Sequence, residues 1–288
     1  MIKFGPSGSD EVFASSPQYK GTVDMPLYVK SLGLDCFEYS FGKGVRMSAE
    51  TAVNIGSAFA KEGIEISVHA PYFINFANPD PAKIDNSFGY VVSSLETLKA
   101  LGGNRCVFHP GSPLTRTREE AWVDLERNVA RLAEILHEQG LDDMRVCPET
   151  MGKLNQMGTV EEIAKLCALD KVFTPCVDFG HVNAREQGSL KTADDFKRVI
   201  DTFGKYIEWE RVSSMHVHFS KIEYTAKGEK CHLTFDDTVF GPEFEPLADV
   251  LAEYEMEPYI VSESAGTQGR DAVYMRDAYL KAVQNRVG

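Results

Sequence analysis

Short apolar runs alternate with longer segments of 3.6-residue periodicity along the whole of this chain. The runs at residues 2–4, 34–39, 64–69, 105–109, 144–149, 172–178, 213–218 and 258–263 are strand candidates, and Val172-Phe173-Thr174-Pro175-Cys176-Val177 reads as a buried one. Amphipathic helices are predicted in the intervals, at 25–32, 49–62, 84–101, 118–139, 160–169, 193–203, 244–254 and 271–287. Punctuation agrees: Ser48 and Thr192 stand where N-caps belong, and Gly33, Gly63, Gly102 and Gly140 where helices should stop. No linker, low-complexity stretch or repeat interrupts the alternation.

Eight strand–helix units in succession predict a parallel sheet, because each parallel pair needs a crossover. An open sheet would usually carry a dinucleotide fingerprint after its first strand, and Gly5-Pro6-Ser7-Gly8-Ser9 is not one. The expectation is therefore a (β/α)8 TIM barrel, α/β in class, forming a single domain over residues 1–288. In such a barrel the strand C-termini share one rim, where active sites are built. Six predicted strands bring His69, His109, Glu149, Asp178, His216 and Glu263 to that rim. One such residue alone is more often a turn or capping residue, and Asp178 in particular could cap the turn after its strand. Six in succession instead suggest a carboxylate–imidazole set neutralised by divalent metal. Nitrogen and oxygen donors without organised thiolates suit zinc first, then manganese or iron.

Composition narrows the picture. The chain has 288 residues, 43% of them hydrophobic, enough for a large core. It shows no 18-residue apolar run and no signal-peptide pattern, so the expectation is a cytoplasmic protein without a membrane partner. Six cysteines without a CxxC pair read as reduced, with Cys231 a possible soft ligand. A net charge of −13 counts against a broad basic face for nucleic acid. It leaves room for a local site, because Lys43, Arg46, Lys153, Arg185, Lys221, Lys227 and Lys230 all follow predicted strands.

Several segments resemble the endonuclease IV family of apurinic/apyrimidinic endonucleases, one of the xylose-isomerase-like barrels. Ser67-Val68-His69-Ala70-Pro71-Tyr72-Phe73-Ile74-Asn75 is similar to that family's third-strand motif and Val107-Phe108-His109-Pro110-Gly111-Ser112 to its fourth. Pro148-Glu149-Thr150-Met151-Gly152 resembles the bridging-Glu segment, though the family usually has Asn after the Glu. Val177-Asp178-Phe179-Gly180-His181 follows the Asp-x-x-His motif, Met215-His216-Val217-His218-Phe219-Ser220 the seventh-strand His, and Ser262-Glu263-Ser264 the last-strand Glu.

The resemblance implies one metal on His69, His109 and Glu149, and a second on Glu149, Asp178, His216 and Glu263. It implies two zinc ions and a place for a third, on His181 with a carboxylate and a His spaced Asp-x-His. Here the chain departs, reading Gly228-Glu229-Lys230-Cys231-His232. Either a turn or bulge brings Glu229 and His232 together at His181, or the Lys230 ammonium stands in for the third cation. The implied activity is hydrolysis of DNA at abasic sites by a monomer, with damaged duplex DNA as partner. Glu149 and Lys230 are then the catalytic candidates, and Tyr72 and Arg46 the substrate-binding ones. Two other readings stay open. Glu149, Asp178, His216 and Glu263 alone would describe a one-metal sugar isomerase or epimerase, and a weakened third site would leave an abasic-DNA binder without turnover.

Overall fold

The computed structural model describes residues 1–287. Eight strands form the barrel: β1 (Lys3–Pro6), β2 (Cys36–Ser40), β3 (Glu65–His69), β4 (Arg105–Phe108), β5 (Arg145–Pro148), β6 (Cys176–Asp178), β7 (His216–Phe219) and β10 (Tyr259–Ser262). They pair in parallel as two ladders, β2-β3-β4-β5 and β1-β10-β7-β6. Single bridges close the two seams, Ser7 to Glu38 between β1 and β2, and Val146 to Phe173 and Glu149 to Cys176 between β5 and β6. The expected (β/α)8 barrel is what the chain forms. The predicted run at 172–178 is cut to three residues because Pro175 has no N–H to give the ladder.

Outside the sheet lie α1 (Glu11–Ser15), α2 (Met25–Ser31), α3 (Ala49–Glu62), α4 (Pro81–Leu101), α5 (Arg118–Glu138), α6 (Val160–Cys167), α7 (Phe179–Arg185), α8 (Ala193–Gly204), α9 (Trp209–Ser213), α10 (Glu245–Glu253) and α11 (Gln268–Val287). Ser48 caps α3 by accepting the Thr51 N–H, and Gly63 ends that helix at a φ of 72°. Thr192 opens α8, its backbone N–H and hydroxyl both donating to Asp195. None of the described helices is long and apolar enough to cross a membrane.

Besides the short α1, two rim elements escaped the hydrophobic pattern. The first is α7, which begins directly after β6 with Asp178 as its N-cap. The second is an antiparallel hairpin, β8 (Ile222–Thr225) and β9 (Gly228–His232), which follows β7. Its ladder pairs Glu223 with Cys231 and Tyr224 with Glu229, so Lys230 is the extra residue of a β-bulge.

Candidate metal centre

Strand register decides which side chains meet at the rim. His218 of β7 is level with Asp178, whereas His216 is level with Cys176, one layer deeper in the barrel. Both point inward because strand side chains alternate with period two. The rim group that assembles is Glu149, Asp178, His218 and Glu263, while His216 groups one layer deeper with Cys176 and His218. This corrects the expectation from the seventh-strand motif by two residues. His216 lies 3.0 Å from Glu38 and stacks on Tyr259, with ring centroids 5.1 Å apart. Burial pushes its imidazole down to about 4 although Glu38 pulls the other way, so it sits neutral inside the barrel.

Glu149 is the centre of the array. Its Oε2 is 3.2 Å from His69 Nε2 and 3.0 Å from His109 Nε2. Its Oε1 is 3.0 Å from His218 Nδ1 and 3.4 Å from His181 Nδ1. One carboxylate thus presents a separate oxygen to each of two imidazole pairs. Burial works to raise Glu149, but His218, His109 and His181 outweigh it and hold the carboxyl well below the usual carboxylate range. Asp178 behaves oppositely. Burial, with Glu263 nearby, lifts it above its ordinary value despite His181.

Asp178 performs two tasks at once. Its Oδ1 accepts the His181 N–H at 2.8 Å, the helix cap that the strand-end reading allowed. Its Oδ2 is buried, 3.3 Å from His181 Nδ1 but without a hydrogen bond, and Asp178 groups with Glu149, His218 and Glu263. The first turn of α7 then carries His181 back over the rim, where Nε2 is 3.4 Å from Glu229 Oε2. The bulge at Lys230 lets Glu229 and His232 share one face of β9, and with His181 they form a third donor group. His232 Nδ1 shares a hydrogen bond with Ser220 Oγ at 2.8 Å.

Lys230 does not join them. The bulge turns it outward to pair with Glu223 at 2.7 Å, so it supplies no cation to the cavity. Cys231 Sγ lies 3.5 Å from the same Glu223 carboxylate and belongs to none of the donor groups. A cavity of about 210 Å³ lies over the donors, and Tyr72, half exposed, stands at its mouth. Arg46 lies apart, in an adjoining groove of about 740 Å³ shared with Lys43 and Tyr39.

Besides His218, the expected set lacked Glu38 and Gln156, and it held Lys153 only as one of several basic residues that follow strands. Glu38 is fully buried in β2, its Oε1 3.0 Å from His218 Nε2 and its Oε2 3.0 Å from His216 Nε2. Ser7 and Ser67 donate hydroxyl hydrogen bonds to it at 3.1 and 3.3 Å. Lys153 and Gln156, on the loop after β5, line the cavity. A carboxylate inside the apolar run Cys36-Phe37-Glu38-Tyr39 was a readable signal for Glu38. Nothing in the sequence aims Lys153 and Gln156 at the cavity.

The donor set fits divalent ions. Three groups of nitrogen and oxygen ligands each have their atoms within 4.8 Å of one another, and the orphaned Asp178 oxygen points to a missing partner. A buried carboxylate that fixes a ligand imidazole through its far nitrogen tunes the ligand. Glu38→Gln is therefore expected to weaken metal affinity roughly 10- to 100-fold with the barrel intact. Competition with a chromophoric chelator measures this, and unchanged affinity would mean that Glu38 does not orient His218.

The family described as xylose isomerase-like TIM barrel matches residues 27–281. An uncharacterized protein of Methanocaldococcus jannaschii is 30% identical over 279 residues, 97% of each chain. A probable endonuclease 4 of Shouchella clausii is 31% identical over 180 residues, 59% of this chain and 58% of its own length. Among solved structures, a D-tagatose 3-epimerase-like protein matches with a TM-score of 0.70 and 19% identity, covering all of both chains. Endonuclease IV from Thermus thermophilus matches with a TM-score of 0.68 and 17% identity, over 98% of this chain and 99% of its own. These two structures fit equally well, so fold similarity does not choose between their activities.

Proposed function

The chain belongs to the xylose isomerase-like TIM barrel family, and on that premise we propose that it is a metal-dependent phosphodiester hydrolase cutting DNA at abasic sites. The observation that carries this reading is the position of Glu149, with one oxygen toward His69 and His109 and the other toward His218 and His181. A carboxylate so placed can hold two cations side by side. His181, Glu229 and His232 would hold a third. Zinc suits the mixed nitrogen and oxygen donors, with manganese or iron as alternatives.

Divalent ions held there would supply Lewis acidity, polarising a phosphoryl oxygen and bringing a water to deprotonate near neutral pH. The chain's own residues do the remaining work. Glu149, Asp178 and Glu263 would compensate such ions, while burial of His69, His181 and His218 fixes their rings in place. Tyr72 presents an exposed ring beside His69, suited to stack on a base or fill the gap left by a missing one.

One observation favours a second reading. Glu149, Asp178, His218 and Glu263 form a self-contained quartet, enough for the single ion of a sugar epimerase. His69, His109, His181, Glu229 and His232 are then surplus, which is why the hydrolase ranks first. The metal-replete protein should be incubated with an abasic duplex, an intact duplex and a panel of keto sugars, while metal per chain is counted by mass spectrometry. Nicking confined to the abasic strand, with more than one ion per chain, is expected. Turnover of a sugar with no DNA nicked, at one ion per chain, would reverse the ranking.

A further inference from the structure

Most of the basic residues in the segments after the strands are already committed. Lys221 is buried, donating to Glu243 and to the Asp237 carbonyl, both at 2.7 Å. Arg185 donates to the carbonyls of Met151, Lys153, Leu154 and Gln156 at 2.7 to 3.3 Å. Lys230 is paired with Glu223, and Lys43 and Arg46 line the neighbouring groove. Among the described residues, Lys153 is the one lysine or arginine that lines the donor cavity.

Its backbone is pinned on both sides. Arg185 grips the loop from α7, and the β8–β9 hairpin holds it from the other flank through Glu229 N–H to Gly152 O and Leu154 N–H to Lys227 O, both 3.1 Å. Gly152 permits that approach, because a Cβ there would fall 2.7 Å from Glu229 Cβ. The Lys153 side chain is left half exposed at the mouth, its Nζ 4.0 Å from Glu229 Oε1. This is too loose for a committed ion pair and leaves the ammonium free to meet an incoming anion.

We propose that Lys153 binds a non-bridging oxygen of the substrate phosphate, supplying at the cavity mouth the positive charge that Lys230 does not. The proposal rests on the phosphodiesterase reading. An anionic substrate has to approach a cavity lined by Glu149, Glu229 and Glu263 on a chain of net charge −13. A lysine is a point charge on a long stem, suited to a phosphate that arrives from solvent.

The test uses the metal-loaded full chain and the variants Lys153→Gln and Lys153→Arg, each first shown to hold as much metal as the parent. Binding of inorganic phosphate is measured by calorimetry, and binding of an abasic duplex across a salt series. Lys153→Gln should weaken phosphate roughly tenfold, the scale of one charge-assisted hydrogen bond, while Lys153→Arg keeps most of the affinity. The plot of log affinity against log salt for the duplex should become shallower by about 0.9 in the Gln variant, as for one lost phosphate contact. Phosphate affinity unchanged in Lys153→Gln, or absent from the parent, overturns the assignment. If the parent neither nicks nor binds the duplex while phosphate binding still falls tenfold in the variant, Lys153 keeps its role and the abasic-DNA reading fails.

Discussion

Glu149→Gln is expected to take abasic-site nicking down by roughly three orders of magnitude or more and to leave the barrel folded. Loss of one electrostatic stabiliser already costs about 10²- to 10³-fold in other active sites, and here one carboxylate faces two imidazole pairs. The glutamine oxygen could still ligate one cation, but its NH₂ group has no lone pair to offer a second. Neutralising the side chain also removes a negative charge that would compensate bound cations, so metal content should fall together with activity. The fold should survive, because the core is built from side chains on every strand and helix of the barrel, and glutamine matches glutamate in volume. Nicking assays, metal analysis and circular dichroism on one preparation give the three readouts. Parental activity in this variant would remove Glu149 from the centre of the site.

The barrel was legible because its signals are local and redundant. Strands such as Arg105–Phe108 are buried throughout, so they read as apolar runs, and helices such as Arg118–Glu138 keep one buried stripe. Most of the donors were legible for the same reason: His69 and Asp178 end their strands, and His109, Glu149 and Glu263 directly follow theirs. Three things were not. The hairpin Ile222–His232 is polar on much of its surface, and its position depends on contacts with the loop after β5, not on its own alternation. The seven-residue helix after Asp178 is buried on almost every side, so no amphipathic stripe betrays it. The exchange of Lys230 for Lys153 as the cation facing the cavity depends on a bulge that no spacing rule foretells. The Glu-x-x-His spacing across that bulge did leave open what the structure brings together at His181.

The two inward histidines of β7 offer the second large expected effect, because they separate the rim from the layer below it. His218→Asn should lower nicking by roughly 10²- to 10³-fold and release metal, since Nδ1 of His218 lies 3.0 Å from Glu149 and 3.5 Å from Glu263. His216→Asn should change nicking by only a few-fold. The side chain at 216 is fully buried against Tyr259 and Glu38, so its loss should appear as about 1–3 kcal/mol of stability and a lower Tm. Residue 216 carries no charge to lose near neutral pH, because burial holds its imidazole at about 4. The outcome turns on register alone: β6 sets Asp178 beside residue 218 and Cys176 beside residue 216. Metal content and melting temperature measured on both variants decide it. If His216→Asn strips metal as fully as His218→Asn, the donors span both layers and the quartet drawn around Glu149 is incomplete.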